Sequence, residues 1–169
     1  MASPILVGYA TRYGSTKEVA EAVAAALRDR GLTVDLRPLR EVRTLDDYGA
    51  VVMGAALYMY RLHKDARRFL SRHRQALTKR PVAIFALGPV HDPSKEKEWR
   101  DSRAQLDKEL ANFPWLTPVA IEVFGGKFDP ADLSFPMSWF AGKAPASDAR
   151  DWDRIRAWAG DLVSKLQAA

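Results

Sequence analysis

The stretch ILVGYATRYGSTKEVAEAV, Ile5–Val23, changes period halfway along its length. Ile5 to Ala10 is a short unbroken apolar run, the pattern of a strand covered on both faces. From Thr16 the spacing is helical: Val19, Val23, Ala26 and Leu27 fall on one stripe, and Gly31 stands where a C-cap belongs. Between strand and helix lies Thr11-Arg12-Tyr13-Gly14-Ser15-Thr16, with three aliphatic hydroxyls and one glycine in six positions. In an open parallel sheet the turn after a strand lies at the carboxyl edge, where ligands collect. A helix N-terminus there presents unpaired N–H groups and partial positive charge. Gly14 permits a close backbone approach, and Thr11, Ser15 and Thr16 can donate hydroxyl hydrogen bonds. The turn therefore suits a phosphate. Ser15 followed by Glu18 also fits a capping box, which would close the helix start without any ligand. Neither Gly-x-Gly-x-x-Gly nor Gly-x-x-x-x-Gly-Lys-[Ser/Thr] occurs here, which sets aside Rossmann dehydrogenases and P-loop ATPases.

Outward from this turn the two periods alternate. Thr33–Leu39 reads as a strand near a sheet edge, because Pro38 lacks a donor. Ala50–Leu57, Pro81–Gly88 and Pro118–Gly126 read as further strands. Helices are expected over Lys64–Leu77, over Ser94–Asn112 with Trp99, Leu106 and Leu110 as anchors, and over Asp151–Leu166. Strands alternating with helices predict an α/β fold with a five-stranded parallel sheet and helices on both faces. The expectation is one domain over residues 1–169. One segment breaks the rhythm: about 127–150, KFDPADLSFPMSWFAGKAPASDAR, an insertion too long for an ordinary connection.

Composition narrows the function classes. The chain has 169 residues, enough for a real core, and no run of about eighteen apolar residues that would span a bilayer. No secretory signal is read at its start, so a cytoplasmic location is expected. Zero cysteines exclude disulfides, thiol catalysis and thiolate-held metal centres. His63 and His73 are ten residues apart, not at the one-turn spacing of a paired ligand set, so no metal site is expected. The formal charge is +5, much of it in RLHKDARRFLSRHRQALTK, Arg61–Lys79. That run reads as a solvated helix face, or as a patch for anionic lipid, an acidic partner or an anionic substrate. No nucleic-acid module accompanies it.

A Thr-x-x-Gly-x-Thr turn after the first strand of such a chain resembles the flavodoxin-like flavoproteins. More narrowly, TRYGSTKEVAEAV, VVMGAALYMYRLHKDARRFL and PWLTPVAIEVFGGKFD, in that order, resemble the menaquinone-dependent protoporphyrinogen IX dehydrogenases over nearly the whole chain. The resemblance implies a flavodoxin-like three-layer sandwich with strand order 2-1-3-4-5. It implies FMN as cofactor, and oxidation of protoporphyrinogen IX to protoporphyrin IX with a quinone or redox-protein acceptor, in haem biosynthesis. Carried over by residue, Thr11, Arg12, Tyr13, Gly14, Ser15 and Thr16 would form the phosphate loop. Ala55, Ala56, Leu57, Tyr58, Met59 and Tyr60 would lie along the flavin. Tyr58 or Tyr60 can stack on the ring, or else pack on the following helix. Leu87, Gly88, Pro89, Val90 and His91 would approach the ring's other side with their backbone groups, Pro89 offering no N–H.

No catalytic acid or base is assigned. His91 is either a proton carrier beside the flavin or an exposed loop histidine. The absence suits a flavin enzyme, whose cofactor carries the redox chemistry, and it equally suits a flavodoxin-type electron carrier. Dedicated flavodoxin shuttles are commonly acidic, whereas this chain is basic. The insertion holds Phe128, Leu133, Phe135, Met137, Trp139 and Phe140, which can cover a porphyrin, touch the inner membrane face, cover the sheet edge or form a dimer contact. A flavin-free interaction domain of the same fold is the reading from a different class.

Overall fold

Burial on both faces builds the sheet. In the computed structural model, which describes residues 3–58, 61–90, 92–128 and 147–167, the first strand is β1, Ile5–Ala10. It pairs in parallel with β2, Val34–Pro38, on one side and with β3, Ala50–Tyr58, on the other. Beyond β3 come β5, Val82–Gly88, and then β6, Ala120–Gly125, both parallel. The order β2-β1-β3-β5-β6 is the expected 2-1-3-4-5 once one short strand is left out of the count. That strand, β4, Arg61–Leu62, folds back antiparallel on the end of β3, pairing Leu57 with Leu62 and Tyr58 with Arg61. A separate ribbon of β7, Lys127–Phe128, and β8, Ser147–Asp148, pairs the two ends of the insertion.

Side chains leave each strand on opposite faces by turns. Leu6 of β1, Val51, Met53 and Ala55 of β3, and Ile84 and Ala86 of β5 enter one core. Val7 and Tyr9, Val52, Ala83, Phe85 and Leu87 enter the other. The first core is covered by α2, Lys64–Arg72, α3, Arg74–Leu77, and α4, Glu96–Leu110. The second is covered by α1, Ser15–Asp29, and α5, Trp152–Gln167, whose Ile155, Leu162 and Leu166 are buried against it. Each such buried aliphatic side chain contributes about 1.5–3 kcal/mol. Gly54 is required where β3 passes under the second core: a Cβ there would lie 2.0 Å from the Phe85 ring.

The helix ends follow their residues. α1 closes through Gly31, whose N–H donates to Arg28 O while Leu32 N–H donates to Leu27 O, a Schellman arrangement. The single helix expected over Lys64–Leu77 is instead two, broken at His73. His73 is buried, its ring 4.8 Å from that of Phe69. Its burial lowers the imidazole pKa, a hydrogen bond to the Val42 backbone partly opposing this. Pro38 ends the edge strand β2, as its missing N–H requires, and a 3-10 turn, Leu39–Glu41, follows.

Candidate functional site

The carboxyl ends of β1, β3 and β5 converge on a cavity of about 570 Å3. That lies within the range of about 300–1,000 Å3 usual for small-molecule sites. Arg12, Tyr13 and Ser15 line it from the first turn; Ala56, Leu57 and Tyr58 from the end of β3; Leu87, Gly88, Pro89 and Val90 from the end of β5. Three separate sequence segments thus meet at one place. Ala55 does not reach the cavity, because its side chain belongs to the core under α2 and α4. Met59, Tyr60 and His91 lie outside the described residues, as does most of the insertion, including Leu133, Phe135, Met137, Trp139 and Phe140.

The first turn has one conformation-determining residue. Gly14 is the N-cap of α1 at φ 92°, a backbone that side chains rarely adopt, and a Cβ there would meet only open space. Its N–H donates to Thr11 Oγ1 at 2.8 Å, so Thr11's own hydroxyl hydrogen is free to donate outward. The capping box does not form: no side chain caps α1, and Glu18 instead accepts from Arg150 at 2.8 Å. Thr16 is fully buried, and its Oγ1 has no hydrogen-bond partner. A buried hydroxyl left unpaired is costly, and a phosphate at the helix N-terminus would supply the missing acceptor. The residues present therefore fit a phosphorylated ligand.

Arg12 spans the loop's outer side. Its guanidinium carbon lies 4.1 Å from the centre of the Tyr58 ring, and its Nε donates to the Tyr13 hydroxyl at 2.7 Å. Underneath, His63 is the N-cap of α2, its Nδ1 accepting from the Asp65 N–H at 3.0 Å. Burial lowers the His63 pKa; Asp65 and a hydrogen bond with the Thr11 backbone oppose this, while Lys64 and Arg12 add to it.

The β5 loop is less available than the sequence suggests. The Gly88 carbonyl already accepts from Val90 N–H at 2.8 Å and from Gly126 N–H at 3.2 Å. The Gly88 carbonyl and the Val90 N–H are thus engaged with the protein itself, so Pro89 and the cavity-lining surface of Leu87 and Val90 remain to meet a ring. The fourth wall was not read from the sequence: Glu98, Asp101, Ser102 and Gln105 of α4, with Gly126, Lys127 and Ser147 from the base of the insertion. The α4 residues recur at three- and four-residue steps, so the stripe of polar residues beside the anchors Trp99, Leu106 and Leu110 was the available signal. Ser102 is 1% exposed with an unpartnered Oγ.

The insertion's base is pinned. Arg150 donates to both carboxylate oxygens of Asp148, at 2.9 and 2.8 Å, as well as to Glu18, and its charge lies 4.8 Å from the Trp152 ring centre. The Arg150 bonds hold the Asp148 pKa below the usual carboxylate value. Among the described residues no group of three or more His, Asp or Glu is placed to hold a metal ion. Nor is any described helix long and apolar enough to cross a membrane.

Known proteins resemble this chain in sequence and in fold. The curated protoporphyrinogen IX dehydrogenase [quinone] of Escherichia coli K12 is 27% identical over 113 residues, 65% of this chain and 61% of its own length. The match therefore spans less than two thirds of that relative. Flavodoxin 2 from Bacillus cereus superposes with a TM-score of 0.62 at 17% identity, covering 96% of this chain and 99% of that one. A flavodoxin from the domain Archaea gives a TM-score of 0.60 at 15% identity, covering 97% and 99%. FMN is the cofactor such a fold implies, and the turn at Thr11–Thr16 has the chemistry for its phosphate. Residues 6–136 match the family model described as the flavodoxin domain, and the chain belongs to that family.

Proposed function

We propose that this protein is an FMN-dependent oxidoreductase that oxidises protoporphyrinogen IX to protoporphyrin IX and passes the electrons to a quinone or redox-protein acceptor. The observation that carries the reading is the turn at the start of α1, whose Arg12, Tyr13 and Ser15 line a cavity large enough for a flat ring and whose Thr16 hydroxyl is buried without a partner. When bound, FMN supplies the group that accepts hydride and electrons. The chain's own part is to hold and screen it. Thr11, Ser15 and Thr16 donate to the phosphate, with the α1 N-terminus adding partial positive charge. Tyr58 offers an aromatic face, and Leu57, Leu87 and Pro89 offer apolar surface that keeps water from the ring. The similarity to the Escherichia coli dehydrogenase supports the substrate.

Two measurements test this in order. FMN added to the purified protein is expected to bind and lose fluorescence. Anaerobic mixing of the FMN-loaded protein with protoporphyrinogen IX is then expected to bleach the flavin's visible band. FMN binding without substrate-dependent bleaching would leave an electron carrier and reject the enzyme.

A further inference from the structure

The basic run of the sequence resolves into two populations. Some cations are used by the fold: Arg67 Nε donates to Leu62 O at 3.1 Å, Arg74 lies 5.8 Å from the Trp115 ring centre, and Arg80 donates to the Ala76, Leu45 and Tyr48 carbonyls. Lys64, Arg68 and Arg72 are exposed, and among the described residues no carboxylate lies within ion-pair distance of them. Elsewhere on the surface Arg37, Arg103, Arg154 and Arg156 have carboxylate partners, while among the described residues Arg40, Arg43, Lys79, Lys97, Arg100 and Lys108 have none; Lys64, Arg68 and Arg72 share one helix face next to the site. These three cations are spaced i, i+4, i+8, so they form one stripe on α2 opposite its buried Ala66, Phe69 and Leu70. The stripe starts beside the site: α2 follows directly on β4, whose Arg61 is the ladder partner of Tyr58 of the cavity wall.

We propose that this face of α2 docks a negatively charged redox protein, which collects electrons at the neighbouring cavity. An unneutralised basic stripe raises encounter rates with an acidic partner and orients it. The face has no exposed apolar side chain to insert among lipid tails, since every apolar residue of α2 is buried, and this favours a protein over a membrane surface. For each pair of electrons removed from the substrate, two one-electron dockings discharge the site and two protons leave to water. The identity of the partner as a redox protein rests on the function proposed above; the docking itself does not.

The test uses a plant-type ferredoxin, an acidic one-electron carrier, as probe, titrated into the full chain without added FMN and followed by fluorescence anisotropy. The triple variant Lys64→Glu, Arg68→Glu, Arg72→Glu is expected to weaken binding at least tenfold at low salt. The control triple Lys97→Glu, Arg100→Glu, Lys108→Glu on α4, equal in charge change, is expected to weaken it less than threefold. A urea midpoint matching the wild type shows that each variant is folded. Equal losses in both triples, or no ferredoxin binding by the wild type, overturn the proposal. So does co-sedimentation of the wild type with phosphatidylglycerol vesicles, abolished by the α2 triple, without ferredoxin binding. Because no substrate is present, failure here leaves the protoporphyrinogen measurement unaffected, and failure there leaves this one unaffected.

Discussion

The guanidinium of Arg12 lies 4.1 Å from the centre of the Tyr58 ring, joining the turn after β1 to the end of β3 across the cavity mouth. A cation over an aromatic face contributes about 0.5–1 kcal/mol at an exposed site. The same charge sits on the loop that would receive a phosphate. Arg12→Ala is therefore expected to weaken FMN binding roughly three- to tenfold, with little change in stability, in a fluorescence-quenching titration.

Thr16→Val separates ligand binding from folding. The hydroxyl it removes is buried and unpartnered, so the protein without FMN should be as stable as wild type, or more stable by about 1 kcal/mol. FMN affinity should nevertheless fall about tenfold, roughly 1.4 kcal/mol. A drop in the urea midpoint with unchanged affinity would invert both expectations and reject the phosphate site. Gly14→Val, placed at φ 92°, should lose both affinity and stability.

Two imidazoles, His73 buried and His63 partly buried, give stability a pH dependence of known sign. Burial lowers the pKa of His63 and His73 below the ordinary 6.5. Between the folded and unfolded values the unfolded chain binds more protons, so stability rises with pH there. It is complete above about pH 6.5 and declines as pH falls towards the folded values. Urea midpoints at pH 5.0 and 7.5 should differ in that direction, and His73→Leu should reduce the difference.

Arg150 is a strut whose loss should be costly. Its side chain is 5% exposed and engages Glu18 and Asp148. Arg150→Met is expected to destabilise by about 1.5–3 kcal/mol, the range for hydrogen bonds to charged groups. Chemical denaturation measures it, and a change below about 0.5 kcal/mol, the ordinary scatter of surface substitutions, would refute the role.

Gly54→Ala should destabilise by about 1–3 kcal/mol through overpacking, since its Cβ would strike the Phe85 ring. Adding Phe85→Leu should recover part of that loss. Additive effects of the two changes in thermal melts would place the clash elsewhere.

The strands were legible because three of the five long ones, β1, β3 and β5, lie inside the sheet and read as unbroken apolar runs; at the two edges, alternation and Pro38 marked β2, while β6 carries the polar Glu122. The break at His73 was hidden because a polar residue in a basic helix looks solvated, while its ring in fact packs on Phe69. Three of the cavity's walls followed from motifs at strand ends. The fourth did not, since Ser102 and Gln105 differ from ordinary helix-surface residues only by what α4 faces. Ser15 and Glu18 had the spacing of a capping box, but Arg150, distant in sequence, took the carboxylate.

The ladder between Phe128 and Ser147 brings the two ends of residues 129–146 to one doorway on the rim of the sheet. The ribbon fastens those ends to each other, and Arg150, two residues beyond it, carries the fastening on to Glu18 of the helix that begins at the cofactor turn.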